Sequence, residues 1–210
     1  YYNGTISSWL EITFPCFEAN PMYYATNFYL GDAVIEELVI PEGTKEIGNY
    51  QFAGFGCVKN VTINSDIETI GEEAFYDMTS NTAFNISDNA SYQTIDGILF
   101  NGNVLISYAL GKLDKTYMIK NNITEIKPYA FYHAANLENI TFEEESNVTT
   151  IGKAAFANCT SLKGITIPET ITRIEDELFM ADTNITTINL PKSITYIGVS
   201  AFESCTTIEK

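Results

Sequence analysis

The sequence predicts a solenoid, a stack of similar short turns, and three observations lead to that prediction. The interval from Phe52 to Phe75 along the chain recurs between Phe156 and Phe179 and again between Phe179 and Phe202. Each of these phenylalanines closes one pattern, which runs from an apolar triplet and a turn to Ile-Gly or a variant, two spacer residues and Ala-Phe or a variant. A fixed period of about 20–30 residues is typical of units that bury their apolar face only by stacking.

Each unit is predicted to contain two short strands and one turn. In the first strand of one unit, Thr166 faces outward between the inward-pointing Ile165 and Ile167, because successive strand side chains alternate in direction. Pro168 then ends the strand, since proline cannot donate a hydrogen bond to a neighbouring strand. A second Ile, here Ile174, marks the second strand. The glycine that follows this Ile in most units is expected to allow a positive φ, and the Ala-Phe pair is expected to form one helical or 3₁₀ turn.

The repeats organise the chain into one predicted domain with two irregular parts. A β-hairpin is expected within the second irregular part, because the Asn101-Gly102 pair favours a tight turn between two apolar runs. The predicted segments of the single domain 1–210 are an atypical Trp-containing unit at 1–34, repeats at 35–80, a truncated repeat with the hairpin insertion at 81–115, and repeats at 116–210.

The unit Leu-x-x-Ile-x-Ile-Pro-x-x-Ile-x-x-Ile-Gly-x-x-Ala-Phe-x-x-Cys resembles the BspA-type leucine-rich repeat, a 23-residue class. The resemblance covers about residues 35–208, and it is closest in the units that end at Phe179 and Phe202. It implies a leucine-rich-repeat solenoid, a right-handed α/β-type coil. It also implies a secreted or surface-anchored protein of gut bacteria that adheres to host matrix proteins or to other bacteria. The family has no shared binding residue to carry over.

Charge and hydropathy exclude two classes of partner. The net charge of −16 and the pI near 4.2 oppose nucleic acid, whose phosphates are bound through Lys and Arg, and they equally oppose anionic membrane surfaces. The sequence contains no run of 18 or more apolar residues, so no membrane-inserted segment is predicted. The chain begins without Met, which favours a trimmed chain or an internal fragment over a cytoplasmic protein.

The sequence offers little chemistry for catalysis, so no catalytic residue, metal or cofactor is predicted. His133 is the only histidine, and it is expected in a surface loop. Cys57, Cys159 and Cys205 are expected to be small buried apolar side chains that are not joined by disulfides, because residues two turns apart lie about 10 Å from each other. Ala134 and Asp182 replace Cys at equivalent positions, which favours packing rather than chemistry there.

Two surfaces are candidate binding sites. The first is the outward side of the strands on the expected concave face, where Thr and Asn dominate; its residues are Asn60, Thr62, Asn64, Asn85, Thr116, Met118, Asn139, Thr141, Thr166, Thr187 and Asn189. Threonine ladders also stabilise sheets without binding anything, so a purely structural interpretation stays open. The second candidate is an aromatic patch of Trp9, Tyr23 and Tyr24, which could instead cover the end of the array.

The predicted function is therefore non-catalytic protein binding or adhesion by a module of a secreted or cell-surface bacterial protein. The partner is expected to be a protein of the host or of a bacterial surface. A structural spacer or stalk within a larger surface protein is the main alternative, and a carbohydrate-binding module is another. The identity of the ligand and the oligomeric state are left open by the sequence.

Overall fold

A computed structural model describes residues 1–86 and 88–209 and confirms the predicted solenoid. Ser87, which falls in the predicted truncated repeat, and Lys210 lie outside the described residues. The chain divides into two compact units, the first formed by residues 1–102 with 109–112 and the second by residues 103–108 with 113–210. They are called unit 1 and unit 2 below. The organisation as a single domain stays a prediction.

The described residues of unit 1 form short helices followed by nine strands. Its helices are α1 (Ile6–Leu10) and the 3₁₀ helices Phe17–Ala19 and Pro21–Tyr23. Its strands are β1 (Tyr29–Leu30), β2 (Ala33–Val34), β3 (Glu37–Val39), β4 (Glu46–Ile47), β5 (Asn60–Ile63), β6 (Thr69–Ile70), β7 (Ala83–Ile86), β8 (Tyr92–Ile95) and β9 (Ile98–Asn101). Strands β3, β5 and β7 form one parallel sheet, β4 and β6 form another, and β1 pairs with β2 in antiparallel orientation.

The described part of unit 2 contains nine strands. They are β10 (Val104–Ser107), β11 (Thr116–Ile119), β12 (Glu125–Ile126), β13 (Asn139–Phe142), β14 (Thr150–Ile151), β15 (Gly164–Thr166), β16 (Arg173–Ile174), β17 (Thr187–Asn189) and β18 (Tyr196–Ile197). The first strands of successive turns form the parallel sheet β11-β13-β15-β17. The second strands form parallel pairs, namely β10 with β12, β12 with β14, and β16 with β18.

The strand registers reproduce the sequence period. Leu38 pairs with Val61 and Val61 pairs with Phe84, so each step from strand to strand equals one repeat. In unit 2, the step from Asn139 to its partner Gly164 is longer, because the loop after β13 contains two additional residues. The extra residues are therefore absorbed in the loop, and the inward side chains stay aligned.

The insertion contains a tight hairpin turn at Asp96 and Gly97, which the sequence did not predict and which precedes the predicted turn at Asn101-Gly102. Strands β8 and β9 are antiparallel, and Ile95 pairs with Ile98 across a two-residue turn. Asp96 and Gly97 have φ of 52° and 74°, which the tight turns of β-hairpins require. Strands β9 and β10, predicted on either side of Asn101-Gly102, are both present.

A column of aromatic rings forms the core of unit 2. The ring centroids of Tyr108 and Phe131 are 5.1 Å apart, and the steps from Phe131 to Phe156, Phe179 and Phe202 are 5.4, 5.8 and 5.7 Å. The first four rings are fully buried, whereas Phe202 in the last turn is partly exposed. The predicted column of phenylalanines is thus present, with Tyr108 as an additional member. In unit 1, the rings of Phe52 and Phe75 stack in the same way, 6.1 Å apart.

The segment around each phenylalanine is a pair of hydrogen-bonded turns rather than the expected helical turn. The residues two before and two after each phenylalanine have positive φ, as in Ala154 (51°) and Asn158 (58°) around Phe156. The backbone N–H of Phe156 donates to the carbonyl of Leu178 in the next turn, at 3.1 Å. A helix would use this donor internally, so the left-handed residues turn it toward the neighbouring repeat.

The glycine after the second Ile is required for close packing and not for positive φ. Gly71, Gly152 and Gly198 all lie outside the left-handed region. A Cβ at Gly152 would lie 2.4 Å from the backbone nitrogen of Pro128, and one at Gly71 would lie 2.5 Å from that of Asn49. The expectation of a positive φ was therefore wrong, and the small residue is needed because two turns approach each other there.

Gly152→Ala is expected to lower the free energy of unfolding by about 1–3 kcal/mol, because the added methyl group forces two backbones apart. Gly43→Ala is the control, since a Cβ there meets nothing within 4 Å although φ is 77°; it should cost about 1 kcal/mol through backbone strain alone. Urea unfolding of both variants measures the difference. A smaller loss for Gly152→Ala than for Gly43→Ala would contradict the packing explanation.

Candidate functional site

A groove lies on the outward side of the sheet β11-β13-β15-β17 in unit 2. Its volume is about 810 Å³. The floor is formed by polar or small residues of the last three strands: Asn139, Thr141, Gly164, Thr166, Thr187 and Asn189. Five of these six residues are predicted members of the binding face. The parallel registers bring them together, since Asn139 pairs with Gly164 and Gly164 with Thr187.

Gly164 is the member of the floor that has no side chain. It lies between Asn139 and Thr187 in the register, where the neighbouring strands carry polar side chains. Because glycine has no side chain, the floor is lowered at this position. A Cβ there would be 3.0 Å from the carbonyl oxygen of Thr187, so a larger residue would fit only with some displacement. Next to it, the amide of Asn189 donates to the hydroxyl of Thr166 at 3.0 Å.

The two ends of the groove carry opposite charges. Lys163 precedes β15 at one end and forms an ion pair with Glu138. Carboxylates from the loops after β13 and β15 lie at the other end, in Glu143, Glu145 and Glu169. The backbone N–H of Asn121 donates to Glu143 at 3.0 Å, and together with the nearby ammonium of Lys120 it lowers the pKa of this carboxyl. The groove is thus polar along its floor and acidic where its strands end.

The remaining predicted residues of unit 2 lie on the neighbouring strand. Thr116 and Met118 are exposed on β11 and pair with Asn139 and Thr141. Met118 has 44% of its surface exposed, so it extends the outward face by one apolar side chain.

The predicted residues of unit 1 lie on its own parallel sheet. Asn60 and Thr62 are on β5, and Asn85, paired with Thr62, is exposed on β7. The amide of Asn60 donates to the carboxylate of Glu37 at 2.8 Å. Asn64 donates to the carbonyl of Pro41 and accepts from the N–H of Asp66, so this side chain links two loops.

Only two of the three residues of the predicted aromatic patch are exposed in the structure. Trp9 is only 3% exposed and therefore lies in the core. Its ring contacts those of Phe14, Phe28 and Phe55, and its indole N–H donates to the carbonyl of Gln51 at 2.9 Å. Trp9 does not contribute to a surface, because its polar nitrogen finds a partner inside the core. Tyr23 and Tyr24 are exposed by 49% and 79%.

A column that includes two thiols and a carboxyl runs through unit 2 beside the phenylalanines; it is buried except at Cys205, which is partly exposed although a buried side chain was expected. Its members are the third residue after each phenylalanine: Ala134, Cys159, Asp182 and Cys205. The thiols of Cys159 and Cys205 donate to the carbonyls of Phe131 and Phe179, at 3.2 and 2.9 Å. Both cysteines are free, as are Cys16 and Cys57. Cys57 is not a member of the equivalent column in unit 1, because the fully buried Phe55 takes that position.

Asp182 is the acidic residue of this column, and sequence reasoning treated it only as packing. It is completely buried, and one carboxylate oxygen accepts from the backbone N–H of Cys159 at 2.7 Å. The other oxygen has no hydrogen-bond partner. Burial raises the pKa of Asp182 to about 8 and that of the Cys205 thiol to about 11, and it raises the pKa of Cys159 well above its usual value. This column is therefore uncharged at neutral pH, because burial favours the protonated form of each acid.

Within residues 1–86 and 88–209, no group of three or more His, Cys, Asp or Glu side chains is placed to hold a metal ion. His133 has φ of 62° and lies two residues after Phe131, at one of the left-handed turn positions. No helix among the described residues is long and apolar enough to cross a membrane.

The family model that describes the BspA type leucine rich repeat region matches the sequence in six copies, over residues 25–111 and 108–210. Together these two matches cover residues 25–210, which is most of the chain. The chain belongs to the BspA-type leucine-rich repeat family. No curated protein matches it.

Solved structures share the fold of this BspA-type chain. A leucine rich cell surface protein from Faecalibacterium prausnitzii A2-165 is 24% identical with a TM-score of 0.72, over 83% of this chain and 52% of its own. The pneumococcal vaccine antigen PcpA is 23% identical with a TM-score of 0.69, over 78% of this chain and 47% of its own. A leucine-rich repeat protein from Eubacterium ventriosum is 22% identical with a TM-score of 0.53, over 80% and 64%. This chain thus spans about half the length of the first two.

Proposed function

We propose that this BspA-type chain is a non-catalytic protein-binding module of a secreted or cell-surface bacterial protein, and that the groove of unit 2 is its contact surface. The observation that supports this proposal is the groove itself, in which outward Thr and Asn side chains line a concave floor. The described cell-surface location of the F. prausnitzii relative supports the location.

The chemistry of the groove favours an extended protein segment as the ligand. Hydroxyl and amide groups such as those of Thr141, Thr166 and Asn139 can donate and accept hydrogen bonds along a peptide backbone. At the acidic end, Glu145 and Glu169 favour a Lys or Arg side chain of that segment, because opposite charges across an interface guide association and fix its register. Adhesion to a host matrix protein or to another bacterium would use such contacts.

Asn139→Ala combined with Thr141→Ala is expected to weaken ligand binding at least tenfold, since two polar contacts of the groove floor are lost at about 1 kcal/mol each. Binding is measured by surface plasmon resonance against immobilised host extracellular-matrix proteins and against intact bacterial cells. Asn60→Ala combined with Thr62→Ala removes the same residue types from β5 of unit 1 and is the matched control. Circular dichroism verifies that each variant is folded.

Full binding by the Asn139 and Thr141 variant would contradict the proposal. A chain that binds no protein and no cell in the panel would instead behave as the spacer that the sequence left open. A glycan array with hits that depend on Thr141 would favour the carbohydrate-binding alternative.

A further inference from the structure

Unit 1 carries a second surface, in which five aromatic rings form a continuous patch. Its residues are Phe17, Tyr23, Tyr24, Tyr50 and Tyr76, called the tyrosine patch below. The Phe17 ring is central, with centroid distances of 5.0 Å to Tyr23, 5.2 Å to Tyr76 and 6.5 Å to Tyr50. The rings of Tyr23 and Tyr24 are 4.7 Å apart and perpendicular. Since Tyr23 and Tyr24 are 49% and 79% exposed, the patch presents aromatic surface to solvent.

The tyrosine patch is held in place by a buried asparagine. Asn20, which is completely buried, lies between the two 3₁₀ helices that carry Phe17 and Tyr23. Its amide donates to the carbonyls of Tyr50 and Gln51 at 2.9 and 3.3 Å, and its oxygen accepts from the N–H of Met22 at 3.0 Å. The helices are therefore fixed to the turn that contains Tyr50. A surface that is already ordered loses little conformational entropy when it binds a partner.

The electrostatic surroundings of the patch are strongly negative. Glu18 lies in the first 3₁₀ helix, and Glu72 and Glu73 precede Tyr76 in the neighbouring turn. Burial, together with Glu73, Glu72, Cys16 and Glu18, raises the pKa of Tyr50, so these carboxylates lie near its hydroxyl.

Unit 1 contains little positive charge that could compete with a cationic partner for this surface. It contains fourteen Asp and Glu residues but only three Lys residues. Each lysine is engaged in an ion pair, Lys45 with Glu68, Lys59 with Glu36 and Lys112 with Asp96. A negative field over exposed aromatic rings attracts a cationic partner and accelerates its association.

We propose that the tyrosine patch binds an arginine- and lysine-rich protein segment, whose cationic groups lie against the exposed faces of Tyr23 and Tyr24. Cations are attracted to the negative face of an aromatic ring, and arginine does so most often in proteins. The carboxylates of Glu18 and Glu72 stabilise the same cations from the side. This surface involves other residues and another unit than the groove, so it stands independently of the proposed function.

Two other occupants fit the patch less well. A sugar ring also stacks on tyrosine, but it gains nothing from the surrounding carboxylates unless its hydroxyl groups reach them. A second copy of this chain would bring another negative unit 1 against the first, and like charges oppose that contact.

The test is isothermal titration of the whole chain with a synthetic decapeptide of alternating arginine and glycine at about 0.15 M salt, where exposed charges are partly screened. Tyr23→Leu combined with Tyr24→Leu keeps apolar surface and every charge but removes two ring faces. We expect this variant to bind the peptide about tenfold more weakly, because two cation–π contacts are lost. Tyr1→Leu is the matched control, since Tyr1 is 87% exposed and its ring contacts that of Tyr29; it should bind like the unmodified chain.

Three results would overturn the proposal. Equal affinities of the double variant and the Tyr1→Leu variant would show that the peptide responds only to net charge. Binding of a neutral oligosaccharide that is lost in the double variant, without any change for the peptide, would assign the patch to carbohydrate. A concentration-dependent dimer in sedimentation that disappears in the double variant would assign it to self-association.

Discussion

Asp182→Asn is expected to raise the free energy of unfolding by about 4 kcal/mol at pH 7. The pKa of Asp182 is raised to about 8 in the folded chain by burial, whereas an unfolded Asp titrates near pH 4. Between these values, the folded state keeps a proton that the unfolded state has released. Stability therefore falls as the pH rises through this window, by about 1.4 kcal/mol for each pH unit. Asparagine does not titrate, so the variant escapes this loss.

The neighbouring turns give a structural reason why the folded state prefers protonated Asp182. At the same repeat position, the thiols of Cys159 and Cys205 each donate a hydrogen bond to a backbone carbonyl one turn earlier. The acceptors are the carbonyls of Phe131 and Phe179. A protonated Asp182 also offers a donor at this position, whereas an ionised carboxylate offers only acceptors. Both thiols face Asp182, and their raised pKa values keep them neutral at pH 8.

The measurement is denaturant unfolding of both chains from pH 4 to pH 9. The advantage of Asp182→Asn should be small at pH 4, grow with a constant slope, and stop growing above pH 8. Asp182→Cys, which restores the residue of the neighbouring repeats, should show the same rise up to about pH 8, above which the unfolded thiol begins to titrate. Asp32→Asn makes the same change at an exposed position and is the control. A difference for Asp182→Asn that does not vary with pH would mean that the buried carboxyl does not titrate as described.

Phe156→Ala is expected to lower the free energy of unfolding by about 3–5 kcal/mol. The ring is completely buried between those of Phe131 and Phe179, at 5.4 and 5.8 Å. Its removal leaves a cavity in the middle of a stack, and the turns on both sides are held apart by their own rings and backbone hydrogen bonds. The structure can therefore collapse only partly around the missing side chain.

Phe202→Ala is the matched control for that prediction. Phe202 has the same repeat position and stacks on Phe179 at 5.7 Å, but it is partly exposed in the last described turn. Its truncation should cost about half as much, because less apolar surface is buried. Both losses are measured by urea unfolding monitored by circular dichroism. Equal losses for the two variants would contradict the dependence on stacking from both sides.

The repeat frame could be predicted from the sequence because it rests on spacing alone. Equal spacing of Phe156, Phe179 and Phe202 fixes which residues meet in adjacent turns, and the alternation around Thr166 fixes which side of the strand is buried. Tyr108 was missed because the interval that separates it from Phe75 is longer than one repeat and because a tyrosine stands in place of phenylalanine. The interval from Tyr108 to Phe131 equals one repeat, and this was the signal that could have found it.

Local conformation and burial were harder to predict, because they depend on neighbouring turns. Position 152 requires glycine because the backbone of Pro128 in the preceding turn leaves no room for a Cβ. No local sequence pattern indicates this contact. Trp9 is buried because a carbonyl of the first repeat accepts its indole hydrogen. The groove is lowered at Gly164 because this residue has no side chain between Asn139 and Thr187. This effect becomes visible only when the three strands are aligned.

The central claim is that consecutive turns stack in register, so that each phenylalanine is covered by the next. Nuclear Overhauser effects between the rings of phenylalanines, measured on a chain with selectively labelled Phe, test it most directly. The account predicts ring-to-ring contacts that link Phe131 to Phe156, Phe156 to Phe179 and Phe179 to Phe202, with none between Phe131 and Phe179. A folded chain that lacks these neighbour contacts, or that shows Phe131 against Phe179, would contradict it.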